Sequence, residues 1–131
     1  MRQLFYLYLS LLTVAACGSG GKKCELSGHW STREGQDLVF LPEGKALWLT
    51  QFGSRFDTIH LQYKTECTCD GRIHLDLYDF RSGPHTGKTL YGLMEWASDS
   101  AFRLRYEPGT QPEVRPTTLD PEQTVQYVRV R

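Results

Sequence analysis

Short runs in which apolar and polar residues alternate recur along the chain and exclude most helical folds. From Phe56 to Thr65, Ile59, Leu61 and Tyr63 fall on one side of an extended backbone, and polar residues fall on the other. The same alternation recurs from Arg72 to Phe80. Successive side chains of a strand point to opposite faces, whereas a helix places its apolar residues three or four positions apart. The pattern is therefore typical of antiparallel strands with one buried face.

Turn-forming residues divide the chain into eight such segments. Pro42 to Lys45, Asp70-Gly71 and Ser98 to Ser100 contain the glycine, proline, aspartate and serine that tight turns favour. Eight short strands, mostly linked by hairpins, predict an all-β fold, either a small eight-stranded antiparallel up-and-down barrel or a sandwich. We favour the barrel, because closure removes the exposed sheet edges that promote aggregation. The predicted strands are Leu26–Glu34, Asp37–Leu41, Ala46–Phe52, Phe56–Thr65, Arg72–Phe80, Lys88–Ala97, Ala101–Glu107 and Gln123–Val130.

Net charge and composition indicate which kinds of partner the chain is expected to bind. The chain has 15 basic and 15 acidic residues, so it has no positive excess that would attract nucleic acid. Hydrophobic residues make up 40% of the chain, which is enough to bury a core. We therefore expect a folded domain without a nucleic-acid partner.

The N-terminus has the pattern of an export signal. One positive charge precedes 13 mostly apolar residues, Leu4 to Ala16, whereas about 20 are needed to span a bilayer. The sequence Ala15-Ala16-Cys17 resembles a bacterial lipobox. This resemblance implies cleavage before Cys17, a diacylglycerol group on its thiol, and a lipoprotein anchored to a membrane of the cell envelope. Gly18 in place of Asp implies the outer membrane, by resemblance to enterobacterial sorting. The alternative is an ordinary signal-peptidase site ahead of an unmodified cysteine.

Three parts of the chain are expected on this basis. Residues 1–16 form a lipoprotein signal peptide, residues 17–25 form the acylated cysteine and a flexible tether, and residues 26–131 form the barrel. Glycine and serine keep the tether flexible. Each acyl CH₂ buried in the membrane would contribute about 0.8 kcal/mol to anchoring.

A Gly-x-Trp motif opens the first predicted strand, at Gly28 and Trp30. Together with an ordered set of later motifs, it resembles the calycins, and in particular the small lipocalin-like domains of exported bacterial proteins. The resemblance covers residues 26–131 and implies a small lipocalin-like barrel. The later motifs are Gly92–Trp96, Phe102–Tyr106, Arg115-Pro116 and Val125–Arg131.

Trp30 is a candidate plug for one end of the barrel, because its large apolar body can fill the end of a small interior. The resemblance implies that an arginine of the last strand stacks over this ring. Arg129 and Arg131 are the candidates, and we favour Arg129 because it shares a strand face with Tyr127. A cation–π contact of this kind contributes about 0.5–2 kcal/mol. Gly28, Trp30 and Arg129 are therefore expected to close the barrel rather than to react.

Two hypotheses about function remain open at this point. The first is the binding of a small hydrophobic ligand inside the barrel, with aromatic side chains as the cavity wall. The second is an envelope protein-interaction module with a filled core, which binds its partner through the outer surface or the Pro-rich segment Pro108–Pro121. The candidate cavity residues are Phe40, Trp48, Phe56, Tyr91 and Trp96.

Three cysteines remain if Cys17 is acylated. Export favours disulfides, and Cys24 can pair with either Cys67 or Cys69. The alternative is a zinc site made of these three cysteines and a histidine such as His60 or His74. We favour the disulfide over the metal, because exported thiols usually oxidise.

Catalytic motifs do not stand out. The sequence lacks a Gly-x-Ser-x-Gly elbow, a His-Glu-x-x-His zinc motif and a phosphate-binding glycine loop. Acidic pairs such as Asp76 and Asp79 have no feature that separates them from surface charge. We therefore expect a protein that is not an enzyme and needs no cofactor.

Overall fold

Eight antiparallel strands form a barrel in which neighbouring strands of the chain pair with each other, and the first strand pairs with the last to close it. The computed structural model describes residues 24–52, 54–68 and 70–130. The predicted all-β up-and-down barrel is confirmed, and every predicted strand has a counterpart in the structure. The strands are β1 (Gly28–Ser31), β2 (Asp37–Phe40), β3 (Lys45–Phe52), β4 (Arg55–Cys67), β5 (Arg72–Tyr78), β6 (Thr89–Ser98), β7 (Ala101–Gly109) and β8 (Val125–Arg129).

The strand order gives the barrel two different ends. The end that we call closed holds the N-terminal segment 24–27 and the β2–β3, β4–β5 and β6–β7 turns. The end that we call open holds the β1–β2 and β3–β4 turns and two longer connections, 79–88 and 110–124. Single 3-10 turns lie within the connections, for example at Pro112–Val114 and Pro121–Gln123. Among the described residues, no helix has the length and apolarity that crossing a membrane requires.

The two-residue period of each strand decides which side chains face the interior. In the β3–β4 pair, Trp48 lies opposite Ile59 and Ala46 lies opposite Leu61, and all four face inward. Burying a large apolar side chain stabilises the fold by about 1.5–3 kcal/mol. The inward faces of the eight strands therefore supply the main stabilisation. The largest fully buried side chains are Trp30, Tyr127, Phe102, Leu26, Leu38, Ile73, Leu75, Leu77, Leu90, Met94 and Leu104.

Gly92 lies on the inward face of β6 and makes room for its neighbours. A Cβ atom at this position would lie 2.7 Å from the carbonyl oxygen of Leu75 and 2.9 Å from Cδ1 of Leu104. The space left by the missing side chain is therefore taken by Leu104. The middle of the barrel is filled, as the second functional hypothesis requires.

Trp30 closes the end of the barrel at which the N-terminal segment enters. Its side chain is fully buried and its ring contacts the rings of Trp96 and Phe102, at centroid distances of 5.6 and 4.9 Å. The indole Nε1 donates a hydrogen bond to the Leu26 carbonyl oxygen at 2.9 Å. This bond satisfies the polar atom of the indole and fixes the segment that leads into β1.

The predicted stacking of Arg129 on Trp30 is present. The guanidinium carbon lies 4.3 Å from the ring centroid, and Nη1 donates to the Ser27 carbonyl oxygen at 3.3 Å. Gly28 permits this approach, because a Cβ there would lie 2.8 Å from Nη1 of Arg129. The backbone of Gly28 also has a φ of +129°, which other residues rarely adopt. The Gly-x-Trp motif thus has a physical role at the closed end.

A disulfide joins Cys24 to Cys67 and attaches the N-terminal segment to the end of β4. The Cα atoms of the two residues are 5.8 Å apart, within the range that a disulfide spans. Cys67, rather than Cys69, is therefore the partner of Cys24, and Cys69 lies outside the described residues. The zinc alternative loses two of its three thiols, because both are oxidised in this bond.

The Pro-rich connection 110–124 is fastened to the outer wall of the barrel. Nη2 of Arg115 lies 2.7 Å from Oδ1 of Asp76 on β5, and Nη1 donates to the Gly92 carbonyl oxygen at 2.8 Å. The Arg115 guanidinium also lies over the ring of Tyr91, 5.4 Å from its centroid. Nη1 of Arg105 donates to the Thr118 carbonyl oxygen at 3.1 Å. These contacts cover the outward face of β6, which explains why both faces of that strand are apolar.

Candidate functional site

A cavity of about 420 Å³ lies at the open end of the barrel, and part of its lining, such as Asp57 and Ser82, is exposed to solvent. Its walls include the residues of β3, β4 and β7 that lie nearest the open end, and the 79–88 connection lies across it. Ligand cavities in proteins are typically about 300–1,000 Å³. The cavity is therefore large enough for a small organic molecule. The side chains that shape it include Trp48, Thr50, Asp57, Ile59, His85 and Tyr106.

Trp48 is the centre of a group of aromatic rings at this cavity. The His85 ring lies nearly parallel to it, at a centroid distance of 6.0 Å and an angle of 21°. The Tyr106 ring meets it edge-on at 6.1 Å, and Phe80 lies at 6.2 Å. Two of the rings come from the barrel wall and two from the 79–88 connection. The site therefore depends on how that connection folds over the barrel.

Two buried polar atoms of β3 have no hydrogen-bond partner among the described residues. They are Nε1 of Trp48 and Oγ1 of Thr50, whose residues are 5% and 7% exposed. Both residues lie on the inward face of β3, two positions apart. A buried polar group without a partner costs about 1–3 kcal/mol, and native proteins rarely keep one without a reason. Both atoms have almost no accessible surface, so a molecule in the cavity would reach them only if neighbouring side chains moved.

Burial sets the ionisation of the two titratable rings at the cavity. Partial burial, and then the nearby charge of Lys88, lower the pKa of His85, so its imidazole is neutral at neutral pH. Burial raises the pKa of Tyr106, so its phenol stays protonated. Asp57 is the acidic residue of the described lining. None of the described residues that line the cavity is lysine or arginine.

Of the five predicted cavity residues, Trp48 lines the cavity. Phe40 is buried deeper, where its ring meets that of Tyr63 at 4.7 Å. Trp96 packs against Trp30 at the closed end. These two aromatic residues belong to the filled part of the barrel.

The prediction was wrong for Phe56 and Tyr91. Phe56 is 74% exposed, because it is three residues from the inward Ile59 and so lies on the opposite face of β4. Tyr91 pairs with the outward Asp76 and lies beneath Arg115, outside the barrel. Both residues were chosen for aromatic character, and the alternation of their strands places them on the outer face.

Sequence reasoning did not assign most of the lining to the cavity, including Thr50, Asp57, His85 and Tyr106. Thr50 and Asp57 could have been found, because they are in phase with Trp48 and Ile59 on adjacent strands. Tyr106 was expected to face inward, but the sequence does not show how close to the open end it lies. His85 has no such signal, because a connection without regular alternation carries it.

A serine, an aspartate and a histidine meet on the outer face of β1 and β2. Nε2 of His29 lies 2.6 Å from Oδ2 of Asp37, and Oγ of Ser31 donates to Oδ1 of Asp37 at 2.6 Å. A nucleophilic serine needs the histidine as its direct partner, whereas here the aspartate lies between the two. The cluster links two neighbouring strands. Within the described part of the chain, no group of three His, Cys, Asp or Glu residues could hold a metal ion.

Two glycines of the 79–88 connection allow a matched test of its packing on the cavity. Gly83 and Gly87 have φ values of +88° and +80°, but a Cβ on Gly83 would lie 2.8 Å from Cδ1 of Ile59, whereas one on Gly87 would meet nothing within 4 Å. We expect Gly87→Ala to lower the free energy of unfolding by about 1–2 kcal/mol, from backbone strain alone. Gly83→Ala should cost about 1 kcal/mol more, because Ile59 must move. Urea unfolding of both variants measures the difference, and equal costs would show that Gly83 does not press on Ile59.

No protein-family model, curated protein or solved structure matches this chain.

Proposed function

We propose that the chain is an exported bacterial lipoprotein whose barrel binds a small, largely apolar ligand in the cavity at the open end. In this proposal, acyl chains on Cys17 hold the protein in the cell envelope, at the outer membrane. The observation that carries the binding function is the cavity at the open end, with aromatic rings grouped around Trp48. The lipocalin-like sequence pattern supports the same function, since that family binds ligands inside a barrel.

The lining of the cavity has the composition of a small-molecule site. The apolar side chains of the wall are those of Trp48, Ile59, Pro84 and Tyr106. Polar side chains lie among them, at Gln36, Thr50, Asp57, Thr58, Ser82 and the neutral His85. Ligand sites typically combine an apolar wall with a small number of placed polar groups that fix orientation. The ligand would therefore be mostly apolar with a few polar atoms.

Support for the membrane anchor comes from the sequence, because residues 1–23 lie outside the described part of the chain. The short apolar run, the small residues and Cys17 occur in the order that a lipobox requires. The barrel is compatible with an N-terminal tether, since the chain enters at Cys24, on the closed end. The cavity lies at the other end, so an anchor upstream of Cys24 leaves its mouth accessible.

Mass spectrometry of the full chain tests both parts of the proposal. The protein is expressed with its own N-terminus in a bacterium and isolated from the membrane fraction. We expect the intact mass to show the loss of residues 1–16 and the gain of a diacylglycerol group. Under native conditions we expect a second, non-covalent adduct, whose mass identifies the ligand. Cys17→Ser is the control that should remove the covalent lipid.

Two outcomes would contradict this proposal separately. A mature protein without covalent lipid would exclude the anchor. A chain that carries no adduct, and gains none when incubated with small apolar compounds, would exclude ligand binding. The second outcome would favour the interaction module, which the filled middle of the barrel and the 74% exposed side chain of Phe56 support.

A further inference from the structure

We infer that an uncharged, flat ligand binds on Trp48 in the place of the His85 ring, and that residues 83–87, which we call the lid, carry this ring away as the ligand enters. This inference rests on the proposed binding function and adds the shape of the ligand and its route of entry. Three observations carry it, namely the stacking of His85 on Trp48, the hydrogen bonding of the lid, and the glycines at its two ends.

The His85 imidazole occupies the aromatic surface that a flat ligand would use. It lies at 21° to the Trp48 ring, with 6.0 Å between the centroids, and its centroid is 5.6 Å from that of Phe80. Trp48 is 5% exposed in this arrangement, so almost none of its ring is free to a molecule in the cavity. A flat ligand therefore reaches the indole face by taking the place of the imidazole.

The ring that the ligand replaces has no charge. Partial burial, and then the nearby charge of Lys88, lower the pKa of His85, so the imidazole is neutral at neutral pH. Burial keeps the Tyr106 phenol protonated, and the acidic Asp57 is exposed to solvent. Flat rings stack in offset or edge-on arrangements that a puckered ring cannot adopt. An uncharged flat ring is therefore the class of ligand that matches this place.

The lid is hydrogen-bonded to itself rather than to the barrel. The Thr86 hydroxyl donates to the Gly83 carbonyl oxygen at 2.9 Å. Among the described residues, no hydrogen bond or ion pair joins residues 83–87 to a strand. The lid packs on the barrel through the His85 ring and, at Gly83, against the side chain of Ile59. It can therefore move outward without breaking a hydrogen bond to the barrel.

The 79–88 connection is fixed at its base, and glycines lie at both ends of the lid. Phe80 is buried in the core, and the Arg81 N–H donates to the His60 carbonyl oxygen on β4 at 2.9 Å. Gly83 and Gly87, with φ values of +88° and +80°, are the first and last residues of the lid. Glycine changes its backbone angles at little steric cost, so these two positions can act as hinges.

Two uncharged probes of similar size test the shape of the ligand. Benzyl alcohol has a flat ring, and cyclohexylmethanol has the same hydroxymethyl group on a puckered ring. Each probe is titrated against the full-length protein labelled with carbon-13 at histidine, and binding is followed by nuclear magnetic resonance. The ring current of Trp48 should displace the signal of the stacked His85 ring. The His85→Ala variant identifies this signal, because the variant lacks it.

We expect benzyl alcohol to move the His85 signal of the unaltered protein towards that of an exposed histidine. His85→Ala should bind benzyl alcohol about tenfold more tightly, because no ring has to leave first. The same variant should gain about twofold or less for cyclohexylmethanol, which cannot stack on Trp48. His60→Ala, which removes an exposed histidine from the outer face of β4, is the control and should leave both affinities unchanged.

The outcomes distinguish this inference from the function on which it rests. A His85 signal that stays displaced while benzyl alcohol binds, or weaker binding by His85→Ala, would overturn the inference, because His85 would then be a fixed part of the wall. Equal gains for both probes, or binding of neither, would overturn the flat ligand. Absence of binding together with absence of a co-purifying adduct would overturn the binding function itself. The His85 signal is measured on the unaltered protein, so it does not depend on whether a variant folds.

Discussion

Alanine in place of Trp30 is expected to lower the free energy of unfolding by about 3–5 kcal/mol, a large part of the stability of a domain of this size. Trp30 is fully buried and packs against Trp96 and Phe102. The substitution would open a cavity at the closed end and leave the Leu26 carbonyl oxygen without its donor. It would also remove the ring on which Arg129 stacks. Urea unfolding, followed by circular dichroism, measures the loss.

Two control variants separate the contributions at this site. Phe56→Ala removes an aromatic side chain that is 74% exposed, and we expect a change within about 0.5 kcal/mol. Arg129→Met keeps an apolar stem but removes the charge, so it should cost about 0.5–2 kcal/mol, the size of a cation–π contact. A Trp30→Ala protein that melts within a few degrees of the wild type would show that Trp30 does not hold the closed end together.

Loss of the Cys24–Cys67 disulfide is expected to cost about 4 kcal/mol in the chain-entropy model. The bond joins residues 43 positions apart, so it greatly restricts the unfolded chain. Cys24→Ala should therefore lower the urea midpoint of the oxidised protein by an amount that corresponds to this whole loss of free energy. A reductant should shift the wild type to the same midpoint and should have no further effect on the Cys24→Ala variant.

Substitutions of the other two cysteines test the pairing itself. Cys67→Ala should resemble Cys24→Ala, whereas Cys69→Ala should keep the stability of the oxidised wild type, because the bond is made by Cys67. The reverse result, with Cys69→Ala unstable and Cys67→Ala stable, would contradict this pairing. Thiol counting under denaturing conditions gives an independent measure of which cysteines are oxidised.

The barrel could be predicted from the sequence because the patterns that specify it lie within single strands and turns. The alternation at Ile59, Leu61 and Tyr63 predicts both the strand and its buried face. Turn residues indicate where each strand ends. Gly28 and Trp30 were informative for a similar reason. Gly28 leaves room for Arg129 and Trp30 supplies the ring on which Arg129 stacks, and the two residues are only two positions apart. Patterns of this kind do not depend on distant parts of the chain.

The candidate site was harder to predict, because it is made by contacts between distant segments. Phe56 has the aromatic character of a cavity residue and lies on the outer face of β4. Tyr91 lies on the outer face of β6 and is buried only because Arg115 folds back over it from 24 positions later in the chain. His85 reaches Trp48 through a connection without regular alternation. Aromatic composition alone could not separate these three environments.

The disulfide at the closed end also determines where mechanical load enters the fold. A pull on the chain upstream of Cys24 passes through the Cys24–Cys67 bond into β4, which pairs along much of its length with both β3 and β5. The segment that leads to Trp30 lies beyond this bond and shares the load with it. A barrel held by its N-terminus therefore carries part of the tension directly in its longest strand.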